Sequence, residues 1–164
     1  MNVTVSEGDF DTVLMDDLMA RISYALERGQ DPHEVAILAL RRGKRRIVVD
    51  MVDQGAEAQK LTELAASLGN WFIVEQLLSH LDDLDSVVIA AAGAGQEEIV
   101  DRLIDQAIAL DRVALSAAQG RHWDIALDLV DRVIPCCREG LIESLVDEAT
   151  SQGRQDVIGR LGVH

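Results

Sequence analysis

Aromatic residues fill only 3% of the 164 positions, and proline occurs twice. A β-sandwich interior, which draws on aromatic and β-branched side chains, is therefore not expected, whereas closely packed helices with a core of Ala, Val, Ile and Leu are. Cysteine is as scarce. Cys136 and Cys137 are neighbours, too close in sequence to join distant segments, so no disulfide framework can be read and a reducing compartment is expected. No apolar run reaches the roughly 18 residues of a bilayer span, which excludes a membrane-spanning helix. The opening stretch MNVTVSEGDFDTV has neither the basic start nor the apolar run of a secretory leader, and a cytoplasmic location is the expectation. Positive charge is also in short supply. Fifteen basic residues, with Lys44 and Lys60 the only lysines, face 29 acidic ones, a net of −14. A field of that sign repels phosphate backbones, so nucleic acid is not an expected partner, while a basic protein is a favourable one.

What the chain does have is small and aliphatic side chains at a fixed interval. LTELAASLGNWFIVEQLL, from Leu61, lies over VVIAAAGAGQEEIVDRLI, from Val87, with Ala65 on Ala91, an offset of 26 (91 − 65). Reading at that interval gives Val35, Leu61, Val87, Val113, then Ala39, Ala65, Ala91, Ala117, then Gly43, Gly69, Gly95, Arg121. Further columns hold Ile47, Ile73, Ile99, Ile125 and Met51, Leu77, Leu103, Leu129. Four units in register mark a helical repeat. In each, a first helix of about nine residues, roughly 13 Å long, carries alanines where a neighbour must approach closely. A glycine able to turn left-handed reverses the chain, and a second helix with an Ile-Val and Leu-Leu stripe follows.

The ends depart from this pattern. Residues 1–8 read as a loose lead-in, and apolar residues recurring at helical spacing from Asp9 to Glu27, a run ended by Gly29, predict a capping pair of helices. Residues 9–29 thus form an N-terminal cap. Asp31, Pro32 and Glu34 open the first regular unit as cap, first helical residue and acidic third position. Regular units fill residues 31–134. The register is then lost around Pro135 and resumes at Ala149, Gly153, Val157 and Leu161, displaced by 32 (149 − 117), which implies a six-residue insertion before a short terminal repeat over residues 135–164. The expected architecture is one domain, residues 1–164: an all-α solenoid of stacked helical hairpins, held by apolar stripes that no unit could bury alone.

The recurring Ala-Ala-x-x-Gly-x-x-x-Ile-Val-x-x-Leu-Leu, as from Ala65 through Gly69 and Ile73 to Leu78, resembles the helix-turn-helix half of an ankyrin repeat over roughly residues 35–161. Two departures stand out: the ankyrin period is about 33 residues, and its Thr-Pro-Leu-His opening is absent, Lys60 to Glu63 reading Lys-Leu-Thr-Glu. The shortened unit has no room for projecting β-hairpin fingers. In the family the fingers and the inner helices form the surface that binds other proteins, so the resemblance implies a non-catalytic protein-interaction module.

Several features were weighed as sites. Arg41, Arg42, Lys44, Arg45 and Arg46 gather five of the 15 basic residues into one turn, a docking patch for an acidic group or simply a solvated turn with arginines at a helix C-terminus. Trp71 and Trp123 share a column and are partner anchors if exposed, packed side chains if not. His80, Asp82, Asp83 and Asp85, like Asp16 and Asp17, lack metal-ligand spacing, and an acidic loop that caps the next helix accounts for the first group. The cysteine pair has no C-x-x-C counterpart, and no phosphate loop, nucleophile elbow or H-E-x-x-H stretch occurs, so neither a cofactor nor a catalytic constellation is read. Two functional expectations remain: a protein-binding adaptor using the basic turn, Trp71 and Trp123, and an acidic inhibitor, an immunity protein or DNA mimic, that occupies a basic cleft on a toxin or nucleic-acid-binding protein.

Overall fold

The structure is a computed structural model that describes residues 4–162; the first three residues of the lead-in and the last two of the terminal unit lie outside the described residues. Among these residues every regular element is helical and there is no strand. The α-helices are α1 (Asp9–Thr12), α2 (Met15–Glu27), α3 (Pro32–Arg41), α4 (Arg45–Asp53), α5 (Ala58–Ser67) and α6 (Trp71–Leu77). They continue with α7 (Leu84–Gly93), α8 (Glu97–Leu103), α9 (Leu110–Gln119), α10 (Trp123–Val130), α11 (Pro135–Ser151) and α12 (Gln155–Arg160). None is long and apolar enough to cross a membrane. The chain divides into two compact units, the first made of the described residues up to Thr62 with Phe72–Leu81, the second of Glu63–Trp71 with the described residues from Asp82 onward.

In the first unit, α3 and α4 pack as a hairpin. The Asp31 side chain accepts from the backbone N–H of His33 at 2.8 Å and Pro32 takes the first helical position, the start that the sequence predicts. The N-terminal cap over residues 9–27 is a pair of helices, α1 and α2, as expected. Val13 and Leu14 are extended, which separates α1 from α2 and leaves Leu14 exposed. A long-range ion pair spans the break: Arg21 Nη1 lies 2.7 Å from Asp9 Oδ1. Twelve residues along a straight helix span about 18 Å, so this pair closes only if α1 folds back.

The lead-in is not loose either. Val5 is 4% exposed. Its backbone N–H donates to Gln30 Oε1 at 2.8 Å while its carbonyl accepts from Gln30 Nε2 at 3.1 Å, so one side-chain amide imitates a strand partner. The Ser6 backbone N–H and hydroxyl both donate to Asp9 Oδ2, at 2.8 and 2.9 Å. Those bonds, the backbone one foremost, and the Arg21 charge hold the Asp9 carboxyl below its ordinary value of 3.8. Because the folded-state pKa is depressed, the stabilisation is complete above the unfolded value and is lost as pH falls through the lower folded one. Protection of the α1 amides, measured against the intrinsic exchange rate at each pH, should therefore fall in acid below about pH 4. Asp9→Asn should abolish that acid step; an unchanged acid profile in the variant would mean that Asp9 does not pin the segment.

In the second unit α7 packs on α8 and α9, α9 on α10 and α11, and α11 on α12. The first helices of successive hairpins thus touch in chain order. Val87, Ala91, Val113, Ala117, Leu145 and Ala149 are wholly inaccessible, the small side chains bringing the helix backbones together. The approach is closest where α7 and α9 end. A Cβ on Gly120 would meet the carbonyl oxygen of Gly93, and one on Gly93 would press on Ser116 Oγ, which itself donates to the carbonyl of Ile89 at 3.0 Å. Backbone φ at Gly120 is ordinary, so Gly120→Ala tests the approach alone. It should cost about 1–3 kcal/mol as an overpacking change, read by urea denaturation. A neutral result would show that the two helices can separate freely.

Left-handed residues follow the first helices. Gly43, Gly69, Gly95 and Gly153 have φ between 65° and 74°, and Arg121 holds 68° where glycine would be easier. Each turn is closed by paired bonds, as where Lys44 N–H reaches the Ala39 carbonyl at 2.8 Å and Gly43 N–H that of Leu40 at 3.0 Å. The stretch around Pro135, where the residue columns lose register, is not a loop: it begins α11, which has 17 residues against 10 for α7 and α9.

Candidate functional site

The basic turn is divided by its own geometry. Arg41 ends α3, where the helix dipole favours a cation, and Arg42 is the cap residue. Arg42 is engaged, its guanidinium lying 3.2 Å from Glu7 Oε1 and 3.1 Å from Asp11 Oδ2, which fastens the N-terminal segment to the hairpin. Lys44 precedes α4, and Arg45 and Arg46 form its first turn. Here the dipole opposes them: a cation at a helix N-terminus forfeits the roughly 0.3–1 kcal/mol that an acid would gain. The corresponding helices α8, α10 and α12 begin with Glu97 and Glu98, Asp124, and Asp156. No described carboxylate forms an ion pair with Arg41, Lys44, Arg45 or Arg46.

Beside this turn lies Phe72, 61% exposed although its neighbours Ile73 and Val74 are buried. The Arg45 guanidinium carbon sits 5.0 Å from the Phe72 ring centroid, a cation–π stack. The two residues border a cleft of about 410 Å³ between α4 and α6. Val49 and Arg46 line the α4 side, and Asp50, Glu75 and Gln76 line its far end. The stack uses the face of the guanidinium and leaves its N–H edge for other acceptors. The cleft can therefore take an apolar group on Phe72 and an anion on the arginines, with a donor at Asp50 and Glu75. Phe72 was not among the residues singled out from sequence. Its column reads Arg46, Phe72, Glu98, Asp124, and a lone aromatic among charges was the available signal.

The two tryptophans part company. Trp71 is half-buried under Arg102, whose guanidinium carbon is 4.8 Å from its ring centroid. Trp123 is 3% exposed, and its indole N–H donates to Gln152 Oε1 at 3.0 Å. Trp123 therefore offers no face to a partner; packing claims it because α11, with Gln152 at its end, covers the site.

Of the acidic loop, Asp83 caps α7 as expected, while Asp85 reaches a later loop. Asp83 accepts from Ser86 N–H at 3.4 Å, and Asp85 Oδ1 accepts from Ile108 N–H at 2.7 Å. Among the described residues no three His, Cys, Asp or Glu side chains gather as metal ligands. Cys136 and Cys137 are exposed with their sulfurs 3.7 Å apart, and the hydrogen bond and charge of Cys136 push the Cys137 thiol up. Comparison with known proteins finds no matching family model, no matching curated protein and no matching solved structure.

Proposed function

We propose that the chain is a non-catalytic protein-interaction module, an ankyrin-like stack of shortened helical hairpins that carries its partner on the basic turn and the cleft beside it. The observation that carries this reading is the placement of Arg45 and Arg46. They occupy the end of α4 that disfavours cations, without an ion-pair partner among the described carboxylates, next to an exposed phenylalanine. A merely solvated turn would take acidic residues there, as α8 does. The order in which α7, α9 and α11 touch supports the stack, and the residue columns support the ankyrin likeness. A pull-down from the native host that recovered no protein, with a small molecule bound instead, would count against the module.

A second reading has its own support. The cleft between α8 and α10 is lined by Glu97, Asp101, Asp124 and Asp128 with Arg132 as its cation. Seventeen of the 29 acidic residues, against seven of the 15 basic ones, fall in the second unit. An acidic inhibitor would use that surface against a basic partner. Substitution separates the two. Binding by the carboxylates should be lost in Asp101→Lys and survive Arg46→Glu, whereas binding on the basic turn should be lost in Arg46→Glu and ignore Asp101→Lys. Binding that survived both changes would contradict both assignments.

A further inference from the structure

Resting on the interaction-module reading, we propose that the cleft between α4 and α6 receives an acidic, apolar-anchored helical segment of another protein, its carboxylates at its C-terminal end. The cleft has two electrically distinct ends. Arg45 and Arg46 stand at the interhelical turn, and Asp50 and Glu75 lie about one helical turn further along. Phe72 and Val49 supply the apolar floor between them. A docked helix matches this order in one direction only. Its C-terminal end, carrying the partial negative charge of its carbonyls and any acidic side chains, meets the arginines, and its N-terminal end meets the carboxylates. An apolar side chain then covers the Phe72 ring.

Charge complementarity is specific to this cleft. At the corresponding positions of α8 and α10, Arg45 is replaced by Glu97, Arg46 by Glu98, Val49 by Asp101 and Phe72 by Asp124. An acidic segment is thus repelled by the one cleft and accepted by the other. The guanidinium of Arg45, stacked on the ring, is already oriented with its in-plane donors free, so little rotamer freedom is lost when a carboxylate binds.

The test uses the full chain and two fluorescent helical peptides with the same central leucines. One carries glutamates at its C-terminal end and lysines at its N-terminal end; the other has the two ends exchanged. Anisotropy should show saturable binding of the first and none, or binding weaker by about tenfold or more, of the second. Phe72→Ala and Arg46→Glu should each weaken the first peptide by roughly tenfold or more. Both sites are exposed, and Arg46→Glu should leave the melting temperature equal or higher because the acid suits that helix end. Equal binding of both peptides, binding indifferent to Phe72→Ala, or no binding of the first peptide overturns the proposal. A native partner still captured by Phe72→Ala and Arg46→Glu would likewise sink the cleft assignment and move the partner to another face, whereas a pull-down that recovered no protein would sink the interaction module itself.

Discussion

Trp123→Ala is expected to destabilise the chain by about 3–5 kcal/mol, the range for removing a buried tryptophan. The ring starts α10, is 3% exposed, and holds more than its own volume in place. Its N–H meets Gln152 Oε1, while Gln152 Nε2 donates to the carbonyl of Ala118 at 2.8 Å and to Glu148 Oε1 at 2.7 Å. One glutamine side chain thus joins α9, α10 and α11. Losing the indole opens a cavity and leaves the Gln152 oxygen without this donor, so the terminal hairpin should loosen with the rest of the second unit. Trp123→Phe keeps much of the ring and should cost less. Urea denaturation decides the matter. If Trp123→Ala unfolded like the parent protein and instead lost its partner, the residue would be an anchor and the packed arrangement wrong.

Ile99→Ala should cost about 2–5 kcal/mol. Ile99 lies on the inner face of α8, 2% exposed, with Val100 and Leu103 buried beside it. One turn of the same helix supplies a control, because Glu98 is exposed and its ion pair with Arg102, 2.8 Å long, spans i to i+4 at the surface. Glu98→Ala should change stability by no more than about 0.5 kcal/mol. The contrast between adjacent positions makes the test independent of any general loss of helix. Equal melting of the two variants would show that the periodicity assigns the wrong face to α8.

Much of the architecture was legible in the spacing of residues. Val35, Leu61, Val87 and Val113, and the alanines four places after each, are all inaccessible, as a period of 26 with helical stripes requires. Local backbone chemistry was readable too, since left-handed turns need glycine and helix starts need caps. The misses share a cause: side chains acting across long sequence separations. The apolar pattern runs unbroken through Val13 and Leu14, so it does not mark where α1 ends and α2 begins, a division that the Arg21–Asp9 pair spans. Nothing near Gln30 in sequence reveals that its amide clasps Val5. Trp71 and Trp123 occupy one column yet differ in burial, because Gln152 enters from a helix that stands outside the regular interval. Pro135 was read as a break when, as a residue suited to a first helical position, it equally begins a longer helix. At the cleft, the clustering of cations was plain in the sequence. That Arg42 is engaged and Arg45 stacks on Phe72 depends on how α4 and α6 meet, which no linear pattern specifies.

The lengthened α11 has a practical corollary. It carries the chain's two thiols, both solvent-accessible at its leading turn, while the opposite end of the same rod is tied down by Gln152. After one of the pair is changed to serine, a maleimide dye on the other would ride on that rod without disturbing the packed interior. Its rotational freedom would then report whether the last hairpin remains seated while a partner is engaged elsewhere on the chain.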